Sequence, residues 1–119
     1  MRGDAMTLKL IAVTGCISGV AHTYMAAERL EKLCHQEKWL VKVETQGALG
    51  TEHNLSAEDI SNADAALLIA DIELEGMERF AHCRCVRIGI STFLRAPDKA
   101  VQAVRKILAS PQATHITVS

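Results

Sequence analysis

Aromatic residues are scarce in this chain: one Trp, one Tyr and two Phe among 119 residues. Any core must therefore rest on Val, Ile, Leu, Ala and Met, and no aromatic platform is on offer for stacking a base or a sugar ring. Charge of one sign is equally short. Thirteen Lys and Arg against fourteen Asp and Glu leave a formal charge of -1, which argues against nucleic-acid binding through a basic face. No apolar run approaches the roughly 20 residues of a membrane-spanning helix. The opening "MRGDAMTLKL" has neither an apolar h-region nor a small-residue cleavage site, so no signal peptide is expected; residues 1–6 read as a flexible leader. The four cysteines, at positions 16, 34, 83 and 85, show no disulfide-framework spacing. A reduced cytosolic thiol protein is the simpler reading.

What is present is an alternation. "LKLIAVT" (8–14) is a short, nearly continuous apolar run, as in a strand buried on both faces. From His22 to Gln36 the period changes to that of a helix, with Ala26, Leu30, Leu33 and Cys34 on one face. "WLVKVET" (39–45) reads as a second strand and "QGALGTEHN" (46–54) as a loop. Ser56 with Asp59 marks a short helix ending near Asn62, with Leu55 and Ile60 as its hydrophobic staple. "AALLIA" (65–70) is a third strand and "GMERF" (76–80) a loop or single turn. "CVRIGI" (85–90) is the fourth strand, and Pro97 opens a last helix whose inner face holds Val101, Val104 and Leu108. Residues 110–119 form a tail. The length fits one domain spanning 1–119. The order predicts a small three-layer α/β domain, Rossmann-like or flavodoxin-like, with a four-stranded mainly parallel sheet flanked by helices.

In such a sheet ligands bind beyond the carboxyl ends of the strands. Cys16 lies just past the first strand and before a helix. A helix N-terminus stabilises a thiolate, and its unpaired N–H groups cradle phosphate. Ile17, Ser18, Gly19, Val20, Ala21, His22 and Thr23 follow as a candidate phosphate-binding loop, with Ser18 and Thr23 supplying hydroxyls and His22 an imidazole. Glu44, Thr45, Gln46 and Gly47 at the end of the second strand, and Asp71 at the end of the third, should converge on the same edge in supporting or docking roles. A cysteine phosphatase would need Cys, five residues, then Arg, and His22 stands where that arginine belongs. A phosphocysteine carrier fits the loop better, and a non-catalytic α/β binding module is the remaining alternative. His82, Cys83 and Cys85 are packed too tightly in sequence for the usual zinc spacings, so no metal and no cofactor is expected.

The stretch "AVTGCISGVAHTYMAAERLE" resembles the active-site region of the fructose-type enzyme IIB of the bacterial phosphoenolpyruvate-dependent sugar phosphotransferase system. "VKVETQGALG" and "ADAALLIADIELEGMERF", which includes Asp71 and the Arg79–Phe80 pair, resemble two further segments of that family. The resemblance runs from about residue 8 to about residue 108. It implies a cytoplasmic phosphotransferase in which Cys16 is phosphorylated. The donor would be a phosphohistidine on an enzyme IIA, and the acceptor a fructose or fructose-like sugar held by a membrane enzyme IIC, the chain's one link to the membrane. The family commonly has Pro-Thr after the cysteine, where this chain has Ile17–Ser18. Ser18 keeps a hydroxyl, and the missing proline leaves the loop less stiff.

Overall fold

The computed structural model describes residues 8–15, 20–47 and 50–118, and the side chains of 20–23 fall outside the description. The expected leader at 1–6, together with Cys16, Ile17, Ser18 and Gly19, lies outside the described residues. The apolar runs form the centre of one sheet: β1 (Lys9–Gly15), β2 (Leu40–Gly47), β4 (Ala65–Ala70) and β5 (Cys85–Ile88). All four are parallel where they pair, with β1 between β2 and β4. Every residue of β4 is buried, as a central parallel strand with both faces covered requires.

Side-chain alternation divides the core in two. Leu10, Ala12, Leu67, Ile69, Val86 and Ile88 point to one face. There they meet α1 (Val20–Glu37), α3 (Ile90–Arg95) and α4 (Pro97–Ile107) through residues such as Ala26, Leu30, Phe93, Val104 and Ile107. Ile11, Val13, Ala66, Leu68 and Cys85 point to the other face. They are covered by Leu55, by Ile60 of α2 (Ala57–Asn62), by Leu74, and by Phe80 of a single 3-10 turn (Met77–Phe80). The expected start of α2 is present in full: the Ser56 hydroxyl accepts from the Asp59 N–H and the Asp59 carboxylate accepts from the Ser56 N–H, each at 3.0 Å. Together these satisfy two donors that the helix end would otherwise orphan.

The α/β class and the mostly parallel sheet are as expected, but with β3 (Gly50–Glu52) and β6 (His115–Val118) the sheet has six strands among the described residues, in the order β3-β2-β1-β4-β5-β6, not four. Part of the expected 46–54 loop is strand: Gln46 and Gly47 continue β2, and β3 (Gly50–Glu52) returns antiparallel to them. Part of the expected tail is β6 (His115–Val118), parallel to β5. Both additions are short edge strands whose identity comes from the neighbour they pair with. The run read as strand through Ile90 ends at Ile88, and α3 follows after Gly89. Strand and helix share one apolar stretch there, and no side-chain cap marks the boundary.

Candidate functional site

β1 is where the chain reverses direction across the sheet. It leaves β1 through α1 to reach β2 on one side, then returns to β4 on the other side by way of α2, which covers the opposite face. The connections diverge at the carboxyl end of β1, which makes this a topological switch point, the usual ligand crevice of an open α/β sheet. Gly15 ends β1 there and Cys16 follows it in sequence. The helix begins two residues sooner than the expected start at His22: Val20 and Ala21 join His22 and Thr23 in the first turn of α1 in their backbone. The first N–H groups of a helix have no intrahelical partner, so this turn keeps the donors that the expected loop was to supply.

The backbone around Gly15 is tightly packed. The Asp71 N–H donates to the Gly15 carbonyl at 3.3 Å. A Cβ on Gly15 would fall 2.6 Å from the Leu74 Cδ2 and 3.4 Å from the Gln46 carbonyl oxygen. Segment 71–76, which follows β4, is thus in direct contact with the residue before Cys16.

Beside it Glu44 is fully buried, at 0% exposure. Its Oε1 accepts from the Leu55 N–H at 2.9 Å and from Arg79 Nη1 at 2.9 Å. Its Oε2 accepts from Gln46 Nε2 at 2.9 Å and from Arg79 Nη2 at 3.0 Å. Burial alone would raise the Glu44 pKa; the hydrogen bonds from Arg79, Gln46 and the Leu55 backbone, with the Arg79 charge, overcome it and hold the carboxyl below its ordinary value. Gln46 also grips segment 71–76 by both backbone groups of one residue: Nε2 donates to the Glu75 carbonyl at 3.0 Å, and Oε1 accepts from the Glu75 N–H at 2.8 Å. Arg79 Nε donates to the Gly76 carbonyl at 2.7 Å. Gly76 has φ of 72°, and a Cβ there would sit 2.7 Å from Arg79 Nε, so both the left-handed backbone and the space beside the held Arg79 favour glycine.

Glu44, Gln46 and Gly15 therefore do converge, but Glu44 and Gln46 are spent on structure: they fasten segment 71–80 to β2. Thr45 is buried and Gly47 closes β2. Asp71 reaches in another direction. Its Oδ1 accepts from the Ile90 N–H at 3.1 Å, tying the end of β4 to the start of α3. Arg79 was legible only as half of an Arg–Phe pair; the charge partner of Glu44 stands 35 residues away in sequence, and no local pattern announces it. Tyr24, exposed on the second turn of α1, donates to Glu52 of β3, a link across the rim that sequence reading also missed.

The other thiols are unsuited to nucleophilic work. Burial, with Glu31 and Glu37 nearby, pushes the Cys34 thiol up to about 12. Burial, with Cys83 nearby, does the same to Cys85. Burial raises Cys83 as well.

Residues 11–103 match the family described as the PTS system, lactose/cellobiose specific IIB subunit. An Escherichia coli K12 protein named PTS system fructose-like EIIB component 3 is 66% identical over 107 residues, covering 90% of this chain and 95% of that protein. The chain belongs to the fructose-like EIIB components of the phosphotransferase system (PTS). A crystal structure described as a predicted fructose specific IIB from E. coli superposes with a TM-score of 0.91 at 63% identity, over 95% of this chain and all of that one. The family description speaks of lactose and cellobiose, whereas this relative is fructose-like; identity of 66% over nearly both full lengths weighs more than a description shared by a broad family. A Bacillus subtilis protein named PTS system fructose-specific EIIABC component is 37% identical over 79% of this chain and only 15% of its own length. As an EIIB component the chain is a phosphotransferase, a phosphoryl carrier of sugar uptake. No helix among the described residues is long and apolar enough to cross a membrane.

Proposed function

We propose that Cys16 carries the phosphoryl group. It receives the group from a phosphohistidine on an EIIA at the cytoplasmic side, and passes it to a fructose-like sugar held by a membrane EIIC. The observation that carries this reading is the position of Gly15, at the carboxyl end of β1 and at the switch point, with Cys16 next in the chain. In the first step the Cys16 sulfur attacks phosphorus, an S–P bond forms as the P–N bond breaks, and the departing imidazole nitrogen takes up the proton that the thiol has given up. In the second a sugar hydroxyl attacks phosphorus, an O–P bond forms as the S–P bond breaks, and the hydroxyl proton returns to the thiol. Both steps require attacking atom, phosphorus and leaving atom in line, so EIIA and EIIC visit the same edge in turn. Ile17, Ser18 and Gly19, with the first-turn N–H groups of Val20, Ala21, His22 and Thr23, hold the phosphoryl oxygens. Glu44, Gln46 and Asp71 support this edge rather than react. A relative named EIIABC supports the joint action of A, B and C parts.

The test is incubation with phosphoenolpyruvate, the general phosphotransferase proteins and an EIIA, followed by intact-mass measurement and peptide mapping. One added phosphoryl group on Cys16, absent from Cys16→Ser, is the expected result. A Cys16→Ser protein that is phosphorylated elsewhere and still passes the group to sugar overturns the reading.

A further inference from the structure

Among the described residues, the face of the sheet that carries Ile11, Val13, Ala66 and Leu68 is covered by α2, the 3-10 turn and the loops beside them. Between α2 and segment 82–84 this cover leaves a cleft of about 490 Å³, within the roughly 300–1,000 Å³ of small-molecule sites. Its ends are fixed by topology. Asp64 and Arg84, which line it, immediately precede β4 and β5. It therefore opens at the amino end of β4, whose carboxyl end pairs with Gly15 about 20 Å away along the strand direction. It shares Arg79 with the brace of the switch-point edge but opens at the opposite end of the sheet.

Carbon makes up most of the wall, from Ala57, Ile60 and Ala63 on one side and Cys83 on the other, and Ser61, His82 and Gln112 add polar groups. Burial raises the Cys83 thiol, so it stays protonated and presents a neutral surface. The charges are unevenly spoken for. The Arg79 guanidinium is matched by Glu44. The Asp64 carboxylate accepts from the neutral Lys9 N–H at 2.8 Å and forms no ion pair among the described residues. Arg84 is the cleft's cation without a carboxylate partner. Its Nε donates to the Ser110 carbonyl at 2.7 Å and its Nη1 reaches the Asp64 carbonyl at 3.5 Å, so the head group is held in place. Among the described residues it forms no ion pair. A half-buried guanidinium, fixed by neutral carbonyls at the end of an apolar cleft, presents a fork for one planar anion.

We infer that this cleft is a second ligand site, for a small carboxylate with an apolar body, seated with its charge on Arg84 and its chain along Ile60, Ala63 and Cys83. The inference does not depend on the phosphoryl-transfer reading, because its readout is binding alone. The experiment is an amide-shift titration of the full chain with hexanoate, and in parallel with hexan-1-ol. Saturable shifts centred on Ile60, Ala63, Cys83 and Gln112 are expected, with hexanoate binding about tenfold or more tighter than the alcohol. Arg84→Gln removes that preference while leaving amides away from the cleft and from Ser110 unshifted. Ala57→Leu, at an exposed position on the wall, blocks both probes without touching Arg84. Shifts that do not saturate, that centre elsewhere, that are equal for acid and alcohol, or that keep their preference in Arg84→Gln overturn it.

Discussion

Arg79 meets Glu44 with both ends of its guanidinium, Nη1 at 2.9 Å from Oε1 and Nη2 at 3.0 Å from Oε2. A carboxylate with no solvent exposure is thereby matched, and the same arginine holds the Gly76 carbonyl. The pair is a fastener. It joins β2 to the segment that lies against Gly15, so the edge from which phosphoryl transfer is proposed to run is braced from below by charge as well as by packing.

Breaking the fastener from one side is expected to cost more than removing it whole. Arg79→Met leaves a buried carboxylate without its cation and is expected to lower stability by about 3 kcal/mol. The double variant Glu44→Leu with Arg79→Met removes both charges and is expected to recover much of that loss. Urea unfolding of the two variants and the wild type decides it; a double variant weaker than Arg79→Met by a further full increment contradicts the account.

The same pair sets a dependence on acid. The Glu44 pKa is lowered in the folded protein, so its stabilising contribution is present in full above the unfolded carboxylate value of about 4.3 and is lost as pH falls through the folded value. Asp59, held down to about 2 by its bond to Lys42 and by the Ser56 backbone, acts in the same direction. The expected result is a stability that falls below about pH 4.3, with a shallower fall in Glu44→Gln and a residual slope from Asp59. Urea titrations between neutral and acid pH measure it, and identical slopes in wild type and Glu44→Gln contradict it.

How much of this was legible depends on range along the chain. β1, β4 and α2 were visible because each carries its own signal: a continuous apolar run, or the Ser56–Asp59 box. Pro97 marked α4 because its missing N–H is harmless in a first turn. β3 and β6 carry no such signal. Three or four residues cannot show a period, and their strand character comes from hydrogen bonds to β2 and β5. α3 was hidden because Ile90 continues the apolar run of β5. At the site, the rule that ligands bind beyond the carboxyl ends of parallel strands put Cys16, Glu44 to Gly47 and Asp71 on one edge, so the meeting of Glu44 and Gln46 beside Gly15 could be anticipated, while the switch point itself needed the strand order. That Glu44 would be consumed by Arg79, and Gln46 by the Glu75 backbone, could not, because each partner lies about 30 residues away and only the folded sheet brings them together.

Gly15 is expected to resist the smallest substitution. A Cβ 2.6 Å from the Leu74 Cδ2 must displace that side chain or the segment carrying it, at a cost of about 1–3 kcal/mol. Because the near neighbour is a side chain, Leu74→Ala is expected to relieve part of the clash. A double-mutant cycle on Gly15→Ala and Leu74→Ala by thermal or urea unfolding is therefore expected to show a favourable coupling. Strict additivity would mean that the backbone around Gly15, and not Leu74, sets the limit.

The cysteines provide the last test, because thiolate and not thiol is the reactive form. Cys34 and Cys85 are buried, with pKa pushed up to about 12, so at neutral pH each is almost wholly protonated as well as shielded. Cys83 is partly exposed but also raised by burial. Cys16 precedes an 18-residue helix that has no acidic residue in its first turn; its positive N-terminus favours a thiolate, and the Cys16 pKa is expected to lie below the free value of about 8.5. Iodoacetamide at neutral pH is thus expected to modify Cys16 first, Cys83 slowly, and Cys34 and Cys85 only on unfolding, with peptide mapping assigning each addition. The rate at Cys16 against pH should level off below the free-thiol value, and prior phosphorylation should block it. If Cys83 reacts faster than Cys16 in the folded protein, the helix N-terminus is not activating the thiol that the carrier chemistry requires.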